Sequence, residues 1–281
     1  MNFEIFTFEF AQRALIASVL IGLVAPLVGT YLVQRRLALL GDGAGHVALT
    51  GVGLAILFGW TPIPFALVTA TLGTVLIELI RDRSKAAGDL ALALVFYGGI
   101  AGGVFFASLS PGGTSAALNS YLFGSLTTAS RADLIYLALI TIIIFIIIYL
   151  WGQNIFAVGI DTDIAKVQNI PVKVTAIVLA VLSALTVVVG MRVVGLLLVS
   201  AIMIIPVAAA QQITNSFKST MFLASFLGLI SSLAGLLISF FVDVPPGPTI
   251  VMVSLGIFAI MAIAAAPLKR KEKPKAPLHN H

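Results

Sequence analysis

The sequence predicts an all-α, polytopic membrane protein with about nine transmembrane helices, and three observations lead to that fold class. Hydrophobic residues make up 60% of the 281 positions, charged residues only 10%, and the mean hydropathy is +1.13. The apolar runs are about 20 residues long and rich in Leu, Ile, Val and Gly, which is the length a helix needs to cross hydrocarbon. A membrane β-barrel would instead alternate in segments of about ten residues. Finally, the charges gather between the runs, as membrane topology requires. The chain therefore reads as one membrane domain, 1–268, followed by a basic cytoplasmic tail, 269–281. Cysteine is absent, which removes disulfides, thiolate ligands and a cysteine nucleophile. The net charge of +5 does not form a soluble basic patch, so nucleic acid is not an expected partner; membrane lipid is.

Taken in order, the spans are expected near 13–33, 38–59, 62–80, 89–109, 132–151, 173–190, 193–213, 220–242 and 249–266. The opening MNFEIFTFEFAQR has two acids before its first base and lacks the cationic region of a cleavable signal, so the first helix is expected to remain in place. The link Thr61 to Pro64 between spans two and three is short enough to make them irregular. With the C-terminus cytoplasmic, thirteen of the sixteen Lys and Arg residues fall on the inner side, leaving Arg13, Arg131 and Arg192 outside. The positive-inside rule then sets the N-terminus outside and the C-terminus inside.

Between the spans, Gly152 to Val172 forms the longest inner connection. Asp161 is an N-cap candidate there, and Ile164, Val167 and Ile170 recur at three-residue spacing, which predicts a short amphipathic helix closed by Pro171. Such a helix either joins two spans or docks a cytoplasmic partner. Outside, SPGGTSAALNS reads as a turn-rich loop, and YLFGSLTTAS, too short to span, as a half-helix at the outer mouth. The loop VDVPPGPT is stiffened by prolines and carries Asp243. Gly41 with Gly45 in span two, and Gly98 with Gly102 and Gly99 with Gly103 in span four, have the spacing of closely packed membrane helices.

The chemistry concentrates in span two, in LGDGAGHVALTGVG. Asp42 and His46 stand one helical turn apart, so both side chains leave one face about 6 Å from each other. His46 is the only histidine outside the last three residues. Counting from Arg35 and Arg36 at the cytoplasmic interface, Asp42 lies about 9 Å in and His46 about 15 Å in, near the bilayer midplane. Inserting an ionised Asp there costs about 2.5 to 3.5 kcal/mol, so it needs a partner, a cavity or a bound cation. One reading is a structural pair, with Asp42 accepting a hydrogen bond from His46. The other is a ligand pair: a carboxylate oxygen with an imidazole nitrogen suits a divalent transition ion such as zinc or manganese. Two ligands are too few for a tight site, so it is either completed across a two-fold homodimer or transient, as in a transporter that must release its cargo.

Other classes fit less well. The glycine-flanked Asp42 would suit an intramembrane protease only with a second membrane aspartate, and no other span has one in its core. A proton-coupled secondary carrier using Asp42 and His46 is an alternative. There is no GxxxxGK[ST] motif to cradle ATP, so the chain is not itself an ATPase. Glu78 lies one turn from Arg81 and is expected in an interfacial salt bridge, while Met191, Met203 and the phenylalanines read as packing. Glu4, Glu9, Arg131, Asp133, Arg192 and Asp243 are the outer charges, and the tail LHNH is expected to be a disordered end.

Four strings in series resemble the permease subunits of the manganese and zinc ABC importer family: LLGDGAGHVALTGVGLA, NSYLFGSLTTAS, RVVGLLLVSAIMIIPVAAAQQI and VPPGPTIVMV. The resemblance runs over most of the chain. It implies a homodimeric permease of a prokaryotic plasma membrane, with a fold similar to that of the vitamin B12 importer permeases. It also implies two cytoplasmic ATPase subunits and an extracytoplasmic metal-binding protein as partners, and no cofactor beyond the transported metal. The family's in-membrane metal pair falls on Asp42 and His46. Its ATPase-coupling helix falls on Asp161 to Asn169, here Asp161, Asp163, Ile164, Ala165, Val167 and Asn169. The fourth span, LALVFYGGIAGGVFF, lacks the histidine that some zinc-type members carry there, so zinc and manganese both remain open.

Overall fold

The computed structural model describes residues 8–110, 115–124, 130–191, 194–196 and 198–271. Glu4, Arg192 and the tail beyond Lys271 lie outside the described residues. Eleven α-helices occur among them and no strand: α1 (Glu9–Gln34), α2 (Leu39–Phe58), α3 (Pro62–Arg83), α4 (Lys85–Ser108), α5 (Ser115–Phe123), α6 (Arg131–Ile160), α7 (Thr162–Val167), α8 (Val172–Gly190), α9 (Val199–Ala210), α10 (Phe217–Val242) and α11 (Pro246–Lys271). Eight of them are long and apolar enough to cross a membrane.

Of the nine expected spans, the one without such a helix is the seventh, where α9 has 12 residues. The expected seventh span, 193–213, is thus not a continuous helix. The contacts at the two ends of the bundle nevertheless require the chain to cross there. At one end Arg35, just after α1, reaches Glu78 in the last turns of α3 at 3.8 Å, and Lys173 at the start of α8 pairs with Asp82 of α3 at 2.8 Å. At that same end Phe217, the first residue of α10, packs on Tyr31 of α1 with ring centroids 5.0 Å apart, and on Phe156 of α6 at 4.5 Å. Both α8 and α10 therefore start at this end, so the stretch between them must return to it. At about 1.5 Å per residue, α9 supplies about 18 Å of that return. The turn residues ahead of it supply the rest. Gly195 there has φ 91°, and a Cβ on it would sit 2.3 Å from the Leu122 carbonyl, so the turn requires glycine. The Leu196 N–H donates to the Tyr121 carbonyl at 2.9 Å, tying this turn to α5.

Three boundaries differ from expectation. Helix α6 runs on from the expected 151 to Ile160, so much of the Gly152 to Val172 connection is a continuation of that helix beside the last turns of α1 rather than a loop: a Cβ on Gly152 would lie 2.8 Å from the Tyr31 hydroxyl and one on Gly159 3.1 Å from Cγ of Gln34. Its start is secured by a capping box between Ser130 and Asp133. Helix α4 begins at Lys85, capped by the Ser84 hydroxyl, leaving only Ser84 between it and α3. The short outer helix is α5, built from SAALNSYLF, which takes in Tyr121 to Phe123 of the expected half-helix; residues 125–129 of that string lie outside the described residues. Its Leu118 and Tyr121 are buried. At the opposite end from Arg35, Glu9 pairs with Arg131 at 2.7 Å and Phe10 meets Phe240 edge-on at 6.3 Å, which closes α1 against α6 and α10.

Candidate metal-cargo site

Helix α2 is the hub of the bundle, and its glycines explain how. A Cβ added at Gly43 would meet Leu92 of α4 at 2.6 Å; at Gly51, the Phe65 carbonyl of α3 at 2.5 Å; at Gly53, the Gly103 carbonyl of α4 at 2.3 Å. From the other side, Gly99 lies against the backbone of His46 and Gly103 against that of Leu49, with hypothetical Cβ distances of 2.5 and 2.8 Å. Small residues let α2 and α4 approach backbone to backbone. Thr50 uses that proximity to donate to the Gly99 carbonyl at 2.9 Å. The expected pairs divide unevenly. Gly102 faces Thr50, Gly45 faces the Leu196 carbonyl at 3.1 Å, and Gly41 has Ser200 and Met203 at ordinary contact distance. Gly98 was expected to pack as well, but a Cβ there would meet nothing within 4 Å. The face of α4 turned to α2 carries Gly99 and Gly103, one position on.

The entry to α2 is also specified. Helix α1 ends in a Schellman turn: Leu37 N–H donates to the Leu32 carbonyl, Arg36 N–H to that of Val33, and Arg36 takes φ 58°. The chain then turns directly into α2, with Asp42 in its first turn. Beneath it, Glu78 is buried and lies 3.4 Å from Arg81 as well as 3.8 Å from Arg35. The expected Glu78 to Arg81 bridge is thus part of a larger cluster that fixes the α1–α2 turn to α3.

The two candidate ligands sit on this helix with different neighbours. His46 is buried, 7% exposed, and its ring lies against Phe96 of α4 with centroids 3.8 Å apart at 65°. Asp42 is half-buried and accepts a hydrogen bond at Oδ1 from the hydroxyl of Ser200 in α9. Among the described residues no third His, Asp or Glu gathers with them into a metal-binding group. Phe96 and Ser200 are the two neighbours that sequence reasoning missed. Within LALVFYGG nothing sets Phe96 apart from the other phenylalanines, and nothing in the string VSAIMIIP marks its serine as facing an aspartate 158 positions away. A carboxylate, an imidazole and a hydroxyl in an apolar surround can hold a partly dehydrated divalent cation.

The second candidate element is α7. Asp161 accepts from the N–H groups of Asp163 and Ile164 at 2.7 and 3.1 Å, the expected N-cap. The helix ends in another Schellman turn: Ile170 N–H bonds the Ala165 carbonyl, and Asn169, at φ 58°, takes the left-handed position that asparagine tolerates. Ala165 is fully buried, whereas Ile164 and Val167 are 57% and 83% exposed. Lys166 hydrogen-bonds Asp163 at 2.9 Å; that bond holds the Asp163 carboxyl below its usual range and raises the Lys166 ammonium. The result is a short, charged, well-capped helix with an apolar pair facing outward, at the end of the bundle that carries Arg35 and Lys173.

Together these features define a polytopic, all-helical membrane protein with a polar pair inside its central helix. Within that class the chain belongs to the ABC 3 transport family, whose model matches residues 7–265. It is 31% identical over 266 residues to the manganese import system permease protein ScaB of Streptococcus parasanguinis, covering 95% of this chain and 94% of that protein. It is 28% identical over 254 residues to the high-affinity zinc uptake system membrane protein ZnuB of Haemophilus influenzae, covering 90% and 97%. Among solved structures it resembles PsaBC from Streptococcus pneumoniae, determined in complex with Fab, with a TM-score of 0.85 and 30% identity over 95% of this chain and 97% of that one.

Proposed function

We propose that this chain is the membrane permease subunit of an ATP-driven importer of divalent transition metal ions, zinc or manganese. The observation that carries the reading is the placement of Asp42 and His46 on the one helix that is packed by α3, α4 and α9 together. A carboxylate and an imidazole retained there at a cost of a few kcal/mol are expected to serve a cation in transit. The names of the manganese and zinc relatives support the same cargo class.

In this reading a binding protein on the outer side delivers the metal, and ATP hydrolysis takes place on two cytoplasmic subunits. Helix α7 docks to those subunits through Ile164 and Val167, with Asp161 and Asn169 holding its ends. Two copies of the chain form the pathway, and their two Asp42/His46 pairs complete the coordination that one pair leaves open. The N-terminus is outside and the C-terminus inside, in the plasma membrane of a prokaryote. Movement of α7 reaches the cargo helix through α3, because Lys173 beside α7 holds Asp82, and Glu78 on the same helix holds the turn into α2.

The test is metal uptake into proteoliposomes carrying the permease, its ATPase and its binding protein, native against Asp42→Asn. ATP-dependent uptake of manganese or zinc that falls at least about tenfold in the variant is expected. Uptake by the chain alone, driven by a pH gradient and indifferent to ATP, would establish the secondary carrier instead.

A further inference from the structure

Several hydroxyl groups on the helices of this chain bond within their own helix. Thr30, Thr74, Thr186 and Ser231 each donate to the carbonyl four residues earlier, at 2.7 to 2.9 Å, the ordinary habit of serine and threonine in an apolar helix. Ser200 does otherwise. It stands in the first turn of α9, is 6% exposed, and donates across to Asp42 of α2, 158 positions away. The residue four before it, Leu196, lies in the turn ahead of the helix, and its carbonyl lies beside Gly45 of α2. The break before α9 thus brings both a hydroxyl and a carbonyl oxygen to the glycine-lined face of the helix that carries Asp42 and His46.

This changes the donor count. The chain has no cysteine, and its only histidines other than His46 are in the tail. With Ser200, each chain offers a carboxylate and a hydroxyl against a single imidazole. A neutral hydroxyl in hydrogen-bond reach of a carboxylate can turn its oxygen lone pairs toward a cation that binds the same carboxylate. Oxygen-weighted sets suit manganese, whereas zinc favours imidazole and thiolate.

Resting on the permease reading above, we propose that Ser200 is a third cargo-site residue, whose oxygen joins Asp42 and His46 and weights the site toward manganese over zinc.

The experiment uses the purified permease–ATPase complex and the electron paramagnetic resonance signal of free Mn²⁺, which is lost on binding. Zinc affinity is read in the same samples, as the zinc concentration that displaces manganese and restores the signal. Native protein is compared with Ser200→Ala, Ser200→Thr and Ser200→Cys, each first required to elute from gel filtration as the native complex does. Ser200→Ala is expected to weaken manganese binding about tenfold while changing zinc binding less than about threefold, and Ser200→Thr to retain native behaviour. Ser200→Cys, with a soft sulfur in place of the oxygen, shifts the preference toward zinc by more than about tenfold. Unchanged binding in Ser200→Ala, or loss of both metals by the same factor, overturns the proposal. Manganese binding that needs Asp42 but survives Ser200→Ala sinks this inference alone; binding indifferent to Asp42→Asn sinks the permease site with it.

Discussion

Gly98 and Gly99 are adjacent and chemically identical, yet the bundle treats them oppositely. A methyl group at Gly99 would lie 2.5 Å from the carbonyl of His46, while one at Gly98 would meet nothing. Gly99→Ala is therefore expected to cost about 1 to 3 kcal/mol, because it pushes α4 off α2 and moves the histidine. Gly98→Ala should stay within about 0.5 kcal/mol of native. Thermal unfolding of the two variants in detergent separates them, and equal melting temperatures would refute the backbone contact between α2 and α4. At this scale the sequence showed which residue types matter but not which of two neighbours faces inward. The GxxxG spacing is satisfied by both registers, 98/102 and 99/103, and only the angle at which α4 crosses α2 chooses between them.

At the scale of elements, the ion cluster at the inner end carries a different expectation. Glu78 is the shared anion of Arg35 and Arg81, and the Nη1 of Arg35 is buried without a hydrogen-bond partner among the described residues. Glu78→Gln leaves two guanidinium groups beside a neutral amide, and removal of one partner of a buried pair costs about 3 kcal/mol or more. A melting temperature unchanged by Glu78→Gln would show that the cluster does not hold the α1–α2 turn. Helix α7 should behave differently, since its charges are exposed. The lowered Asp163 carboxyl keeps its contribution above the usual carboxylate value of 3.8 and loses it only as pH falls through its depressed pKa. The raised Lys166 contributes below its usual 10.5 and loses it only as pH rises through its elevated pKa. Retention of the ATPase by the complex should therefore be flat between these limits. It should fall in Asp161→Ala, which removes an N-cap worth about 1 kcal/mol. Pull-down of the ATPase across pH and in that variant checks both. The short helix was legible in advance because capping is local chemistry. The reach of α6 to Ile160 was not, because nothing in GQNIFAVGI shows that this stretch packs on beside the last turns of α1.

For the whole molecule the informative feature is the seventh pass, through α9. A chain with no native cysteine accepts single reporters cleanly. Cysteines placed at Lys173 and Lys218 are expected to label from the same side of the membrane, and one at Asp243 from the other, with an impermeant maleimide on oriented vesicles. Labelling of Lys173 and Lys218 from opposite sides would show that the stretch through α9 does not return across the bilayer.

What the sequence determined by itself is what depends on composition and short spacing: a helical membrane protein, its run of apolar spans, the intramembrane Asp42/His46 pair and the capped helix after Asp161. Hydrophobic length and one-turn spacing are local properties, readable without knowing any neighbour. The tertiary structure decided what depends on crossing angles and distant turns. The seventh span is a turn and a short α9, because the Gly195 bend must pack against α5. That bend delivers Ser200 to Asp42, and the packing of α4 on α2 puts Phe96 on His46. Partners separated by 50 to 158 positions meet only when helices cross, and no periodicity within one segment records where another will cross it.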